Sequence, residues 1–160
     1  MKDNGREAPP PDEEPAEGGG EVSGACITVP NGEYELRYID YETAQFFQSP
    51  KVILHCAIIE PEDYAGLPVD RFYNVTRLTG PPGKYGNYIA AARGDLFREY
   101  RMIVKEPERR DRISFRALKG KRLIAELETV RKDHQHNPLP EEVQYSRISR
   151  FLRVLPDDDW

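Results

Sequence analysis

Arginine and aromatic residues alternate along two segments of the sequence, a pattern that suits nucleic-acid binding. Arg71, Tyr73 and Arg77 share one alternation in the middle of the chain, and Tyr145 and Arg147 share another near its end. Unpaired bases stack on aromatic rings, at about 1 to 3 kcal/mol per base, while guanidinium groups hold phosphates. We therefore expect these residues to bind a single strand without reading its sequence. The alternative is that the rings pack in the core.

A glycine-rich loop and a basic turn supply further groups of the same kind. Lys84, Tyr85 and Tyr88 lie in the segment TGPPGKYGNY, which must be a loop and could close a tyrosine over a base. Lys121 and Arg122 lie in the turn LKGKRL, where the glycine lets a phosphate approach closely. A plain connection and a solvated turn are the alternative interpretations.

Catalytic chemistry receives little support from the sequence. The loop at residues 79–88 has no Gly-Lys-Ser/Thr opening a helix, so it is not a phosphate-binding P-loop. No nucleophile elbow is found either. Glu126 and Glu128 share a strand face and could bind Mg²⁺, so an enzyme with a carboxylate-metal site is the third hypothesis. We predict no catalytic residue, no cofactor and no metal site.

Charge is divided unevenly along the chain. The 160 residues have a net charge of −5, yet residues 71–153 hold nineteen basic and ten acidic side chains. Residues 1–25 hold two basic and seven acidic side chains, and residues 26–70 hold two and eight. Exposed charges more than about 8 Å apart are largely screened at physiological salt, so the basic half can still attract phosphate locally. An ordinary mixed surface is the alternative.

Five strands and one helix are predicted to position these residues. Alternating or continuous apolar patterns predict strands at residues 33–41, 51–59, 69–78, 122–131 and 143–153. A helix is the alternative at residues 51–59 and at residues 122–131. Between the third and fourth strands, Leu96, Tyr100 and Ile103 have helical spacing, and Pro107 ends that helix. Arg71, Tyr73, Arg77, Arg122, Tyr145 and Arg147 therefore lie on strands, whereas the other candidates for nucleic-acid binding lie in the loop at residues 79–88 and in the turn at Lys121.

Two strands carry features that affect which side chains face the core. The apolar phase of the first strand shifts at Ile39, which predicts a bulge. In the third strand we assign Phe72 to the core, which leaves Tyr73 on the opposite face and available to a ligand.

The order of three strands, a helix and two strands resembles the OB-fold, a partly open five-stranded barrel. The resemblance implies a mainly β fold with one helix. It also implies a binding surface for oligonucleotides on the second and third strands and the adjoining loops.

The chain ends in three aspartates and a tryptophan, Asp157, Asp158, Asp159 and Trp160. This ending is similar to the tip of single-stranded DNA-binding proteins of bacteria and some phages, which docks on replication and repair proteins. The similarity implies that Trp160 fills a pocket of a partner while the aspartates meet basic residues around it. This chain differs from the bacterial proteins in two ways. Their tip ends in Pro-Phe, which is absent here, and it follows a long linker, whereas here no long linker separates the tip from the last predicted strand.

Three regions are predicted: a disordered acidic leader at residues 1–25, an OB-like domain at 26–155, and an acidic, aromatic-ended tail at 156–160. The first hypothesis is a single-stranded DNA-binding accessory protein of replication or recombination, of the kind that phages and mobile elements carry. The second is a protein-interaction module with an OB-like barrel and no nucleic acid.

The sequence also sets expectations about location and partners. No run approaches the roughly 18 apolar residues of a membrane span, and no secretory signal is found, so we expect a cytoplasmic protein without membrane contact. Cys26 and Cys56 are expected to be free thiols. The expected partners are single-stranded DNA or RNA and replication or repair proteins, and open sheet edges would allow a homo-oligomer.

Overall fold

The structure is a computed structural model that describes residues 28–105, 112–133 and 135–156. This part of the chain is mainly β and contains one α-helix, α1, at Asp95–Ile103. The strands are β1 Gly32–Phe46, β2 Ser49–Glu60, β3 Pro68–Asn74, β4 Arg77–Leu78, β5 Gly83–Lys84, β6 Tyr88–Ile89, β7 Arg122–Val130 and β8 Tyr145–Val154. The predicted class, mainly β with a helix before the last two long strands, is confirmed.

The long strand β1 is the centre of the main sheet. The sheet is antiparallel with the order β3-β2-β1-β7-β8, and the short β5 also pairs with β1. Strands β4 and β6 form a separate two-stranded ribbon. Within the described residues the sheet is open, with β3 and β8 as its edges, although these two edges lie close to each other.

A bulge at Ile39 changes which face of β1 points inward. The register with β2 shifts between Tyr38 and Asp40, so Ile39 is the extra residue. Before the bulge, the even-numbered Tyr38 is buried. After it, the odd-numbered Thr43 is buried, whereas the side chains at positions 42 and 44 are only half-buried. Because side chains alternate along a strand, one extra residue exchanges the two faces. The bulge predicted from the change of apolar phase is confirmed.

Strand β2 supplies much of the core. Val52, Leu54 and Cys56 are at most 1% exposed and belong to the main cluster, while Ile53 and Ala57 on the opposite alternation are also buried. The expectation of a central strand covered on both faces is therefore confirmed. Cys56 is a buried free thiol, as expected, whereas Cys26 lies outside the described residues.

The third predicted strand is divided in the structure. Strand β3 ends at Asn74, the Val75 N–H donates to the Pro50 carbonyl at 3.2 Å, and the next pairing residues form β4. Strand β4 pairs with β6 and not with β2. The single strand expected at residues 69–78 was therefore too long, and the loop expected at 79–88 contains the short strand β5 and the first residue of β6.

Helix α1 packs an apolar face on the core and carries a buried carboxylate in that face. Leu96, Tyr100 and Ile103 are each at most 4% exposed, and Glu99 lies among them with its side chain 5% exposed. The helix begins after Gly94 and ends at Ile103, so it contains the three apolar residues whose spacing predicted it. A buried carboxylate is costly unless it is fully bonded, so its partners determine whether this helix can pack here.

Glu99 links the two edge strands of the sheet. Its Oε2 accepts a hydrogen bond from Arg71 Nη2 at 2.8 Å. Its Oε1 accepts from the Tyr73 hydroxyl at 2.6 Å and from the Phe151 N–H at 3.3 Å. Arg71 and Tyr73 belong to β3 and Phe151 belongs to β8. One helix carboxylate therefore joins strands that are not neighbours in the sheet.

The predicted orientation of Tyr73 is wrong. Its ring is 3% exposed, because Val69 and Val75 share its alternation and this phase faces the core. Phe72 lies on the opposite face and is only half-buried. Arg71 shares the inward phase, with its side chain 11% exposed and its guanidinium carbon 4.3 Å from the Tyr73 ring centroid. In this structure Arg71 and Tyr73 bind Glu99 and are not available to phosphate or base.

Replacing Glu99 with glutamine should destabilise the fold strongly. Glu99→Gln leaves Arg71 buried without its countercharge, and we expect the free energy of unfolding to fall by about 3 to 5 kcal/mol. The control is Glu128→Gln, which breaks an ion pair on the surface. The two side chains of that pair, Arg147 and Glu128, are 43% and 47% exposed. That change should cost less than about 1 kcal/mol. Urea unfolding followed by circular dichroism measures both, and similar small losses would contradict the role given to Glu99.

Candidate nucleic-acid interface

A cleft of about 980 Å³ opens beside the middle of β1. Its walls come from residues 85–92, from helix α1 and from residues 112–119. This volume is at the upper end of the range of about 300 to 1,000 Å³ for small-ligand sites. The cleft can therefore hold a ligand larger than a single ring.

Aromatic rings form the floor and one rim of the cleft. They are Tyr38, Tyr41, Tyr85, Tyr88, Phe97 and Phe115. The Tyr41 ring is the common neighbour, with centroids 4.9 Å from Phe115, 5.6 Å from Tyr85 and 6.0 Å from Tyr88. Tilted and edge-on pairs at such distances are attractive, so the cluster supports itself. Tyr85 is 51% exposed, which leaves part of its ring open to a ligand.

The tyrosine hydroxyls add no negative charge to the cleft. Burial raises the pKa of Tyr38, Tyr41 and Tyr88 above the ordinary value of 10.0, and neighbouring tyrosines add to the shift. These hydroxyls are therefore protonated at physiological pH. The Tyr41 hydroxyl donates a hydrogen bond to the Gly86 carbonyl at 3.1 Å, which ties the ring to the loop that follows β5.

Four cations line the same cleft. They are Arg101, Arg112, Arg116 and Lys119, all of them exposed. None of the four forms an ion pair with a described residue, and none of the described residues that line the cleft is acidic. Elsewhere on the surface, by contrast, Arg98 lies 2.8 Å from Asp95 and Arg150 lies 3.1 Å from Glu126. Counting only the residues that the structure describes, the cleft therefore carries an unbalanced positive charge next to its rings.

The loop that presents Tyr85 is fixed on β1 in a disfavoured conformation. Tyr85 has a φ of 59°, in the left-handed region that few non-glycine residues adopt. Its N–H donates to the Tyr41 carbonyl at 3.1 Å. A Cβ at Gly86 would lie 2.1 Å from Thr43 Oγ1, so only glycine allows the loop to approach β1 this closely. Strain at an exposed ring is a feature that is often found at functional sites.

The structure brings two of the ten predicted nucleic-acid residues, Tyr85 and Tyr88, into the cleft. Two more lie on segments that border it. Lys84 precedes Tyr85 and is 64% exposed, with its Nζ 3.5 Å from Asp40 Oδ2. Arg77 is exposed on β4 and pairs with Ile89, a residue of the cleft wall.

The other predicted residues do not line the cleft. Arg122 donates to the Pro156 carbonyl at 3.0 Å, and Arg147 lies 3.2 Å from Glu128. Lys121 and Tyr145 are half-buried, at a turn and at the start of β8. The leader at residues 1–25 and the predicted partner-binding residues Asp157, Asp158, Asp159 and Trp160 lie outside the described residues.

The sequence did carry a signal for the part of the cleft that was missed. Arg112, Phe115, Arg116 and Lys119 follow one another at intervals of three, one and three residues, so a ring lies among cations here as it does in the two segments at residues 71–77 and 145–147. The structure folds this segment into a 3₁₀ turn at Phe115–Leu118. Tyr41, Phe97 and Arg101 gave no local signal, since each follows the pattern of its own strand or helix.

The two glutamates considered as a metal site lie away from the cleft. Glu126 and Glu128 are each paired with an arginine of β8, and neither lines the cleft. Among the described residues, no group of three or more histidine, cysteine, aspartate or glutamate side chains could hold a metal ion. In the same part of the chain, no helix has the length and apolar character to cross a membrane.

No protein family, curated protein or solved structure matches this chain.

A separate group of titratable side chains surrounds His55 on the main sheet. His55 stands in register with Asp40 on β1 and with Asp70 on β3. Its Nδ1 lies 2.7 Å from Asp70 Oδ1, and its Nε2 lies 3.7 Å from Glu42 Oε1. Partial burial lowers the pKa of His55, but the hydrogen bond to Asp70 and the charges of Asp70, Glu42 and Asp40 outweigh it and raise that pKa above 6.5.

The raised pKa makes the stability of the fold depend on pH. Protonated His55 stabilises the fold fully below its unfolded-state pKa of about 6.5, and this contribution is lost as the pH rises through the higher folded-state value. We therefore expect the urea midpoint of the wild type to fall from about pH 6 to about pH 8. The fall in the urea midpoint should be smaller in His55→Gln than in the wild type. It should equal that of the wild type in His136→Gln, because His136 is exposed in a loop. A fall of full size in His55→Gln would contradict this assignment.

Proposed function

We propose that this protein binds single-stranded DNA without catalysing a reaction, and that unpaired bases enter the cleft beside β1. The observation that carries the proposal is the lining of that cleft, where six rings and four cations meet without a described carboxylate. Rings stack on bases, and cations bind the phosphates between them. The proposed mode of binding is the one that the sequence suggested, but of the predicted residues only Tyr85 and Tyr88 line the proposed site.

The combination of rings and cations supports a nucleotide ligand over other ligands of aromatic clefts. A cage of rings alone would suit an ammonium group, because the ring faces attract cations. Here Arg101, Arg112, Arg116 and Lys119 would repel such a ligand. A simple anion, in turn, would gain nothing from the rings. A strand of nucleotides uses both features at once.

The position of the rings supports a single strand over a duplex. Phe115 and Tyr38 lie at the floor and are 4% and 6% exposed, so they support the more exposed rings above them and do not contact a base themselves. To reach Tyr85, which is 51% exposed, and the half-buried rings beside it, a base must leave its own stack and enter the cleft. Leaving the stack costs least when the strand is already unpaired. Asn87 and Ser114 also line the cleft and can accept or donate hydrogen bonds to any base edge. This fits binding with little sequence preference.

The connectivity supports assignment of the domain to the OB type. Strand β1 lies between β2 and β7, the helix precedes β7, and the edges β3 and β8 approach each other where Glu99 links them. An OB barrel has this order and remains partly open. An accessory role in replication or recombination, with Trp160 and the three aspartates before it contacting a partner protein, belongs to the same proposal.

Removing two cations of the cleft should weaken binding of labelled oligothymidine. We expect the double variant Arg116→Gln, Lys119→Gln to bind at least tenfold more weakly at low salt, because up to two phosphate contacts are lost. The slope of log affinity against log salt should become shallower by about 0.7 for each lost contact. Fluorescence anisotropy at several salt concentrations measures both quantities.

A matched control removes the same amount of charge elsewhere. Arg98 and Arg150 are 66% and 62% exposed and are paired with Asp95 and Glu126. The double variant Arg98→Gln, Arg150→Gln should therefore keep most of the wild-type affinity. An equal loss in both double variants would show that only net charge matters. A wild type that does not bind unpaired oligonucleotides in dilute buffer would refute the proposed function.

A further inference from the structure

The most exposed ring in the described part of the chain lies at the tip of the β1–β2 hairpin. Phe47 is 99% exposed, and Phe46 beside it is 46% exposed. Phe47 and Tyr85 both have positive φ values, 57° and 59°, and both project a ring into solvent. Two loops that adjoin the same strand therefore use a disfavoured backbone conformation to expose an aromatic side chain.

The hairpin holds Phe47 in place and does not leave it as a loose loop. Phe46 pairs with Ser49, so Phe47 and Gln48 form a two-residue connection. Positions with positive φ in such connections strongly favour glycine or asparagine. The side chain of Gln45 donates from Nε2 to the Phe47 carbonyl at 3.1 Å, which supports the turn. A fully exposed phenylalanine at a position that suits glycine calls for a functional explanation.

The hairpin tip continues from the cleft along β1. Tyr41 lies in the cleft and Phe47 follows six residues later, which corresponds to about 20 Å at the rise of a β-strand. Residues 43–51 contain no acidic side chain and one lysine. Glu42 lies on the alternation that faces His55, opposite to that of Tyr41. A polyanion leaving the cleft in this direction would therefore meet little repulsion.

We propose that Phe47 is a second stacking site for the DNA strand whose bases occupy the cleft. This inference rests on the proposed function, and it defines the extent of the ligand. A stacked strand rises about 3.4 Å per nucleotide, so about six nucleotides span the distance from Tyr41 to Phe47. A ligand of about three nucleotides fills the cleft alone, whereas one of about fifteen also reaches the hairpin tip.

The test compares short and long oligothymidines on one substitution. Phe47→Gly removes the ring and suits the positive φ, so it should leave the thermal unfolding midpoint unchanged or higher. We expect its affinity for an oligothymidine of about fifteen nucleotides to fall by roughly fivefold or more, as for the loss of one stacked base. Its affinity for the trinucleotide should remain within about twofold of the wild type, and Phe47→Trp should restore binding of the long strand.

The outcomes separate this inference from the proposed function. If the wild type binds both oligonucleotides and Phe47→Gly binds the long one equally well, the second stacking site is refuted, whereas the proposed binding in the cleft is not. An equal loss for both lengths would also refute it. A wild type that binds neither length refutes the proposed function itself. If sedimentation shows that Phe47→Gly breaks up a dimer and that binding of the long strand is lost with it, the tip contacts a second copy and not DNA.

Discussion

The carboxylate of Glu99 is the constraint on which the rest of the structure depends. A buried charge is tolerated only when its partners are in place, and here these are Arg71, Tyr73 and the Phe151 N–H. The three partners come from the two edges of the sheet, so helix α1 can pack only where both edges approach. The same helix carries Phe97 and Arg101 into the cleft. The bonded carboxylate in the core therefore also fixes one wall of the candidate site.

The bulge in β1 is the second feature that forms the cleft. Without the extra residue at Ile39, the alternation that buries Tyr38 would turn Tyr41 to the opposite face of the sheet. With it, Tyr38 and Tyr41 both line the cleft, and Tyr41 meets Phe115 at 4.9 Å. One inserted residue thus supplies the ring that Tyr85, Tyr88 and Phe115 all contact. The glycine at position 86 then lets the Tyr85 loop approach the same strand.

The order of elements could be predicted from the sequence because it depends on local patterns. Alternating and continuous apolar patterns, the change of phase at Ile39 and the helical spacing of Leu96, Tyr100 and Ile103 predicted the long strands, the bulge and the helix. The inward phase of β3 was also readable, since Val69 and Val75 share it, but Arg71 on that phase looked like a surface residue. Its partner Glu99 lies 28 positions away and is placed only by tertiary packing. The cleft required the same long-range information.

The charge of the chain shows why the location of the site does not follow from sequence totals. On β8, Arg147, Arg150 and Arg153 are each paired with a glutamate of β7 or β1, which cancels their charge locally. The four cations of the cleft have no such partner among the described residues. A net charge of −5 and an unbalanced positive cleft can coexist because salt screens exposed charges beyond about 8 Å. In our proposal, the phosphates of the bound strand supply the countercharge that the described residues do not place there.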